Sequence, residues 1–287
     1  MRPRRRTRAS TTAVKSSGVT RCGIAYTVQG SGPPLLWSSG YVVPATAMDG
    51  MVRRFAGRFT CITFDHRGSG RSRSPVVPLT TARMARDALR LMRHLDVTSA
   101  HVYGVSLGGM VAQELAVRAP HRVRTLVLGS TTAGGVAVES PSPVALLREM
   151  SHAWKSGPGR SRVGVRGAVH QGWAAATHDT SSRLHRIQAP TLIIHGSRDK
   201  IVPPSDARRL ADHVPGAELR VVRGAGHLFL FESRTATDLV ARWLDARRNL
   251  GARGRRSLGD SVRDLTVEPW RAGIRQTLPL RRMLHAP

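Results

Sequence analysis

Ser106 sits between two glycines in Gly104-Val105-Ser106-Leu107-Gly108, directly after the apolar run of "AHVYGV". A serine in a glycine-rich turn is an ordinary surface feature. At the junction of a strand and a helix, the same pattern raises a nucleophile above a sheet. The reason is steric: the serine must take a strained backbone conformation, and a Cβ two residues to either side would clash. A helix that starts at Leu107 also points free N–H groups at an oxygen that gains negative charge.

A serine hydroxyl needs a base. His227 lies in "RGAGHLFLFE", after Gly224 and Gly226. The chain has 12 histidines, so a lone histidine says little. This one follows the last strand-like run, and it follows an acid in the order serine, acid, histidine. Asp199, in "HGSRDKIVPP", follows the preceding strand; a carboxylate there would fix the tautomer of the imidazole and stabilise its charged form. The loop after "RTLVLG", where another acid could sit, reads "STTAGG" and holds none. The oxyanion needs donors as well. Leu107 N–H is one, and Tyr41 N–H, from the loop "SSGY", is the other.

Positioning these groups together takes a particular set of elements. "VTRCGIAYTVQG" alternates polar and apolar residues and predicts a strand pair or a bent strand. "LLW", "FTCITF", "AHVYGV", "RVRTLVLGS" and "PTLIIHGS" are buried strands, and "AELRVVRG" (217–224) is the last. Helices are expected over 45–57, over 80–95 with Thr80 or Thr81 as cap, and over "LGGMVAQELAVRA" up to Pro120. "SDARRLADHV" should form another, capped by Ser205 or Asp206, and "ESRTATDLVARWLDARR" the last. Apolar strands alternating with amphipathic helices make a mostly parallel sheet covered on both faces. Ligands of such sheets bind at the carboxyl ends of the strands, where Tyr41, Ser106, Asp199 and His227 all fall. From 134 to 184 the alternation lapses around Pro141, Pro143, Trp154 and Trp173, which reads as a short cap insertion.

Composition narrows the function classes. A net charge of +27 over 287 residues comes from arginine, with lysine only at Lys15, Lys155 and Lys200. The first eight residues carry five arginines, and the stretch from Ala246 onward carries ten against three acids. Residues 1–18 and 249–287 therefore read as solvated basic segments flanking a domain over 19–248. Aromatics at 5% and the lack of any zinc-finger or RNP pattern argue against a specific nucleic-acid module. No apolar run reaches eighteen residues, so no transmembrane helix is expected. The basic start has no apolar segment behind it and does not read as a secretory signal. Cys22 and Cys61 cannot form a disulfide framework, no metal-ligand spacing appears, and a reducing cytoplasm fits. Neither a cofactor nor a metal is expected.

Taken together, "FDHRGSGRS", "APTLIIHGSRDKIVP" and "GAGHLFLFE", with the serine motif, resemble the α/β-hydrolase superfamily. The likeness is to its branch of small esterases, enol-lactonases and cofactor-free haloperoxidase-like proteins, and it runs from about Gly23 to about Arg247. It implies an α/β-hydrolase fold with Ser106 as nucleophile, Asp199 as acid and His227 as base. It also implies structural roles for Asp65, Arg67, Gly68 and Gly70 in the "DHRGSGRS" turn. Two features depart from the family pattern: Ser39-Gly40 replaces the usual His-Gly before the oxyanion residue, which should remove a side-chain anchor, and the cap is short. The expected function is a serine hydrolase acting on a small carboxylic ester or lactone. Other readings are carbon–carbon bond hydrolysis, perhydrolysis, and a noncatalytic relative that binds a ligand or partner.

Overall fold

The structure is a computed structural model, and it describes residues 15–135, 164–229 and 233–250. The basic start up to residue 14, most of the cap including Trp154, and the tail from residue 251 lie outside the described residues.

Eight strands form one sheet: β1 (Lys15–Val19), β2 (Ala25–Gln29), β3 (Pro34–Ser38), β4 (Thr60–Phe64), β5 (Ala100–Val105), β6 (Val123–Gly129), β7 (Thr191–Gly196) and β8 (Glu218–Val222). Their spatial order is β1-β2-β4-β3-β5-β6-β7-β8. The pairs β1–β2 and β2–β4 are antiparallel, and every later pair is parallel. The central strands are buried along almost their whole length because both faces are covered. Alternation assigns each residue to one face. Leu36 and Ile193 join the core under α2 (Thr81–His94), α3 (Leu107–Arg118) and α5 (Pro204–His213). Leu35, Trp37, Leu192 and Ile194 join the opposite core, closed by Phe55, Val240, Trp243 and Leu244. The last three belong to α6 (Arg234–Asp245).

Helix α2 begins as its sequence predicts, with Thr80 accepting a hydrogen bond from Arg83 N–H; such a cap contributes about 1 kcal/mol. Helix α5 does not. Its cap is Pro203 and no side chain serves it, so Ser205 and Asp206 lie inside the first turn. Pro204 at the first helical position has no N–H to satisfy, which removes part of the need for a capping side chain. Residues 45–57 also differ from expectation. They break into a 3₁₀ turn over Ala45–Met48, a single α-turn, α1 (Asp49–Val52), and tight turns after it. At the N-terminal end, β1 starts at Lys15, so the sheet extends four residues before the expected boundary at 19. Among the described residues, no helix is long and apolar enough to cross a membrane.

The strand order reverses at β3, whose neighbours are β4 and β5. A crevice opens at such a switch point. The loops after β3 and β5, carrying Tyr41 and Ser106, are therefore adjacent.

Candidate active site

Ser106 is the last residue before α3, with φ +54° and ψ −123°. Few L-residues adopt this conformation, which costs on the order of 1–3 kcal/mol. Its surroundings hold it there. Ser106 N–H donates to Gly129 O (2.9 Å), and Ser106 O accepts from Thr131 Oγ1 (2.8 Å). The flanking glycines are steric necessities: a Cβ at Gly104 would overlap the Gly108 carbonyl, and one at Gly108 would overlap the Ser38 carbonyl. The turn thus forms where the sequence places it, between β5 and α3.

Two distant loops meet at this turn. His227 Nε2 lies 3.0 Å from Ser106 Oγ, and His227 Nδ1 lies 2.8 Å from Asp199 Oδ2. A carboxylate only accepts, so Nδ1 carries the proton and Nε2 is free to accept from the serine hydroxyl. The loops are laced together. Arg198 N–H donates to Ala225 O (2.8 Å) and Gly224 N–H to Ser197 Oγ (2.8 Å). Gly196 leaves room for the carbonyls of Ala225 and Gly226, which a Cβ would strike.

Asp199 is buried and fully hydrogen-bonded. Its Oδ1 accepts from Ile201 N–H (2.9 Å) and Val202 N–H (3.0 Å). Its Oδ2 also lies 3.2 Å from His195 Nε2, in addition to His227. Burial alone would raise the carboxyl's pKa. The hydrogen bonds from His195, His227 and Val202 outweigh it and hold the group well below the usual carboxylate range. His195, at the end of β7, is completely buried, and its Nε2 also reaches Val202 O (3.0 Å). Only its place four residues before Asp199 in "HGSRD" hints at this contact in the sequence.

The loop after β3 borders Ser106: a Cβ on Gly40 would stand 3.5 Å from Ser106 Cβ. Among the described residues, neither Tyr41 N–H nor Leu107 N–H donates to any acceptor. The expected loss of a side-chain anchor at Ser39 does not occur. Ser39 Oγ donates to Val43 O (2.8 Å), and His66 Nε2 meets Ser38 Oγ (3.1 Å). The "DHRGSGRS" turn is tied down as its residue types require. Asp65 accepts from Ala45 N–H and Arg71 N–H, Arg67 pairs with Asp87, and Gly68 (φ +83°) and Gly70 (φ +54°) make the turns. Among the described residues, no group of histidine, cysteine and acid side chains could hold a metal ion.

This geometry can move the proton of the Ser106 hydroxyl to His227 while Asp199 stabilises the imidazolium. Comparison with known proteins bears on the family of the chain. The family model described as alpha/beta hydrolase fold matches residues 36–163, and one described as serine aminopeptidase S33 matches residues 162–234. A poly(3-hydroxyalkanoate) depolymerase from Ectopseudomonas oleovorans is 30% identical over 214 residues, 65% of this chain and 75% of that protein. The 3-oxoadipate enol-lactonase 2 of Acinetobacter baylyi is 25% identical over 224 residues, 70% of this chain and 84% of that protein. A hydrolase from Pseudomonas aeruginosa PA01 has a solved structure that superposes with a TM-score of 0.68 at 27% identity, covering 83% of this chain and 99% of that one.

Proposed function

Since this chain belongs to the α/β-hydrolase family, we propose that it is a serine hydrolase cleaving a small carboxylic ester or lactone. The observation that carries the reading is the unbroken line from Ser106 Oγ through His227 to the buried Asp199. The names of two relatives, an enol-lactonase and a poly(3-hydroxyalkanoate) depolymerase, fit cleavage of an acyl–oxygen bond.

In this reading Ser106 Oγ attacks the carbonyl carbon as His227 Nε2 takes its proton. The tetrahedral oxyanion receives Tyr41 N–H and Leu107 N–H in a site arranged before the substrate arrives. Collapse expels the alkoxide, which His227 protonates. A water then attacks the acyl-enzyme with His227 as base, and the acid leaves.

Covalent labelling with a fluorophosphonate, beside turnover of aryl esters and lactones of graded acyl length, tests the proposal. Labelling and turnover that both vanish in Ser106→Ala support it. Folded wild-type protein that neither labels nor turns over any substrate would instead favour a noncatalytic relative.

A further inference from the structure

Helix α4 (Val165–Ala176) contributes nothing to the Ser106–His227–Asp199 line, yet it grips the loop that borders Ser106. Gln171 is fully buried on this helix, and its amide joins two loops of the rim. Oε1 accepts from Val42 N–H (2.8 Å), while Nε2 donates to Arg67 O (2.9 Å) and Ser69 Oγ (3.2 Å). One residue earlier in the same loop, Tyr41 Oη donates to Ala168 O (3.0 Å). The height of α4 over the rim is fixed by a backbone contact. Gly167 lies so close to Gly68 that a Cβ on either would overlap the backbone of the other. The amide of Gln171, one helical turn beyond Gly167, is thereby held at a set distance from both loops.

Val42 needs such a partner. Its φ is +50°, a conformation unfavourable for a β-branched residue. Removing the acceptor would strand its N–H and release the loop toward an ordinary conformation. Val42 N–H lies in the Tyr41–Val42 peptide, which joins through the Cα of Tyr41 to the peptide that carries Tyr41 N–H, so fixing the first restrains the second. The bond to Gln171 occupies Val42 N–H, whereas the neighbouring Tyr41 N–H donates to no acceptor among the described residues.

We propose that Gln171 is a positioning residue for acyl transfer: by holding Val42 N–H, it aims the adjacent Tyr41 N–H at the oxyanion formed on Ser106. This rests on the serine-hydrolase reading. An oxyanion donor is worth on the order of a hundred- to a thousandfold in turnover, and a misplacement of about 1 Å forfeits much of that.

The test is Gln171→Met in the full chain, since methionine keeps the length and volume of the side chain and removes both of its polar roles. Three quantities are read: kcat and KM on an aryl ester, and the inhibition constant of a trifluoromethyl ketone, which forms a hemiketal oxyanion on the serine. The expected result is a kcat lower by roughly 30- to 100-fold, with KM within about threefold of wild type. The ketone should weaken by the same factor as kcat. A purely structural role would move KM and melting temperature without this parallel. The proposal is overturned if Gln171→Met keeps kcat within about threefold of wild type, or if kcat falls while ketone affinity holds. Should Gln171→Met fail to fold, Gln171→Asn withdraws the carbonyl by one methylene and carries the same expectations. Wild type and Ser106→Ala are measured alongside. If those two are equally inactive, the hydrolase reading falls and this inference with it. If they differ as expected while Gln171→Met matches wild type, only this inference falls.

Discussion

Gly108 and Ser38 meet backbone to backbone: the carbonyl of Ser38, at the end of β3, fills the space where a side chain on Gly108 would begin. The first turn of α3 therefore rests directly on the neighbouring strand, and Ser106 and the loop after Ser38 are held at one height.

Gly108→Ala should break this contact. The added methyl has backbone on its far side, which cannot rotate away, so the expected cost is about 3 kcal/mol or more. That corresponds to a drop in Tm on the order of 10 °C for a domain of this size. A Tm within about 2 °C of wild type would mean that α3 can lift off β3 cheaply.

Ser106→Ala is expected to lower kcat by on the order of a millionfold and to leave the circular dichroism spectrum and Tm nearly unchanged. Purified Ser106→Ala protein that kept even a tenth of the wild-type rate would move the nucleophile elsewhere.

Asp199→Asn should lower kcat on the order of ten-thousandfold. An amide at this position can donate to Nδ1 and so favour the tautomer whose Nε2 carries the proton and cannot accept from Ser106. The readout is kcat on the best ester found. A near-wild-type rate would show that the imidazole is oriented by another group, and His195, already in contact with the carboxylate, is the one to replace next.

Acid should destabilise the protein earlier than its carboxylates alone would. Burial lowers the imidazoles of His66, His101 and His178, each to about 4. The unfolded chain binds those protons first, near pH 6.5, so stability falls as pH drops from about 6.5 toward 4. The loss reaches about 3 kcal/mol per imidazole at pH 4. Asp199 adds a later loss, below about pH 4, because its folded carboxyl is held lower than in the unfolded chain. Urea midpoints at pH 8, 6 and 5 should fall steadily, and less steeply in His178→Gln. A flat profile between pH 7 and 5 would contradict the burial of neutral imidazoles.

Deleting residues 251–287 is expected to leave turnover and Tm essentially unchanged. Among the described residues the last element is α6, and the short stretch kept beyond it includes Arg248, whose carbonyl meets His101 Nε2 at 3.1 Å. A collapse of either quantity in the truncated protein would place the tail inside the fold. A loss confined to binding of anionic polymers, graded by salt, would give the tail an electrostatic role of its own.

Ser106, Asp199 and His227 are legible in the sequence because each stands in a short local pattern at the end of an apolar strand. Strand order alone then brings those ends to one rim. Gln171 has no such pattern. Its three partners lie 129, 104 and 102 residues away, and a single glutamine in a helix looks like any other polar position. Strand β1 is obscure for a different reason: "KSSGV" has little apolar alternation, and its place depends on backbone pairing along β2, with Gly18 under the Tyr26 ring. The start of α5 misleads because Ser205 and Asp206 are good capping residues, while the paired prolines before them begin the helix earlier.

The backbone of Ser106 has one further implication, for heredity. At φ +54° a glycine would rest with less strain than the serine that stands there. Nothing in the backbone strain of this turn therefore protects the serine against mutation to glycine, and a descendant could exchange the whole CH2OH side chain for hydrogen and inherit a less strained scaffold. The architecture and the chemistry of this chain are separable traits, and only a demand for turnover keeps them in one lineage.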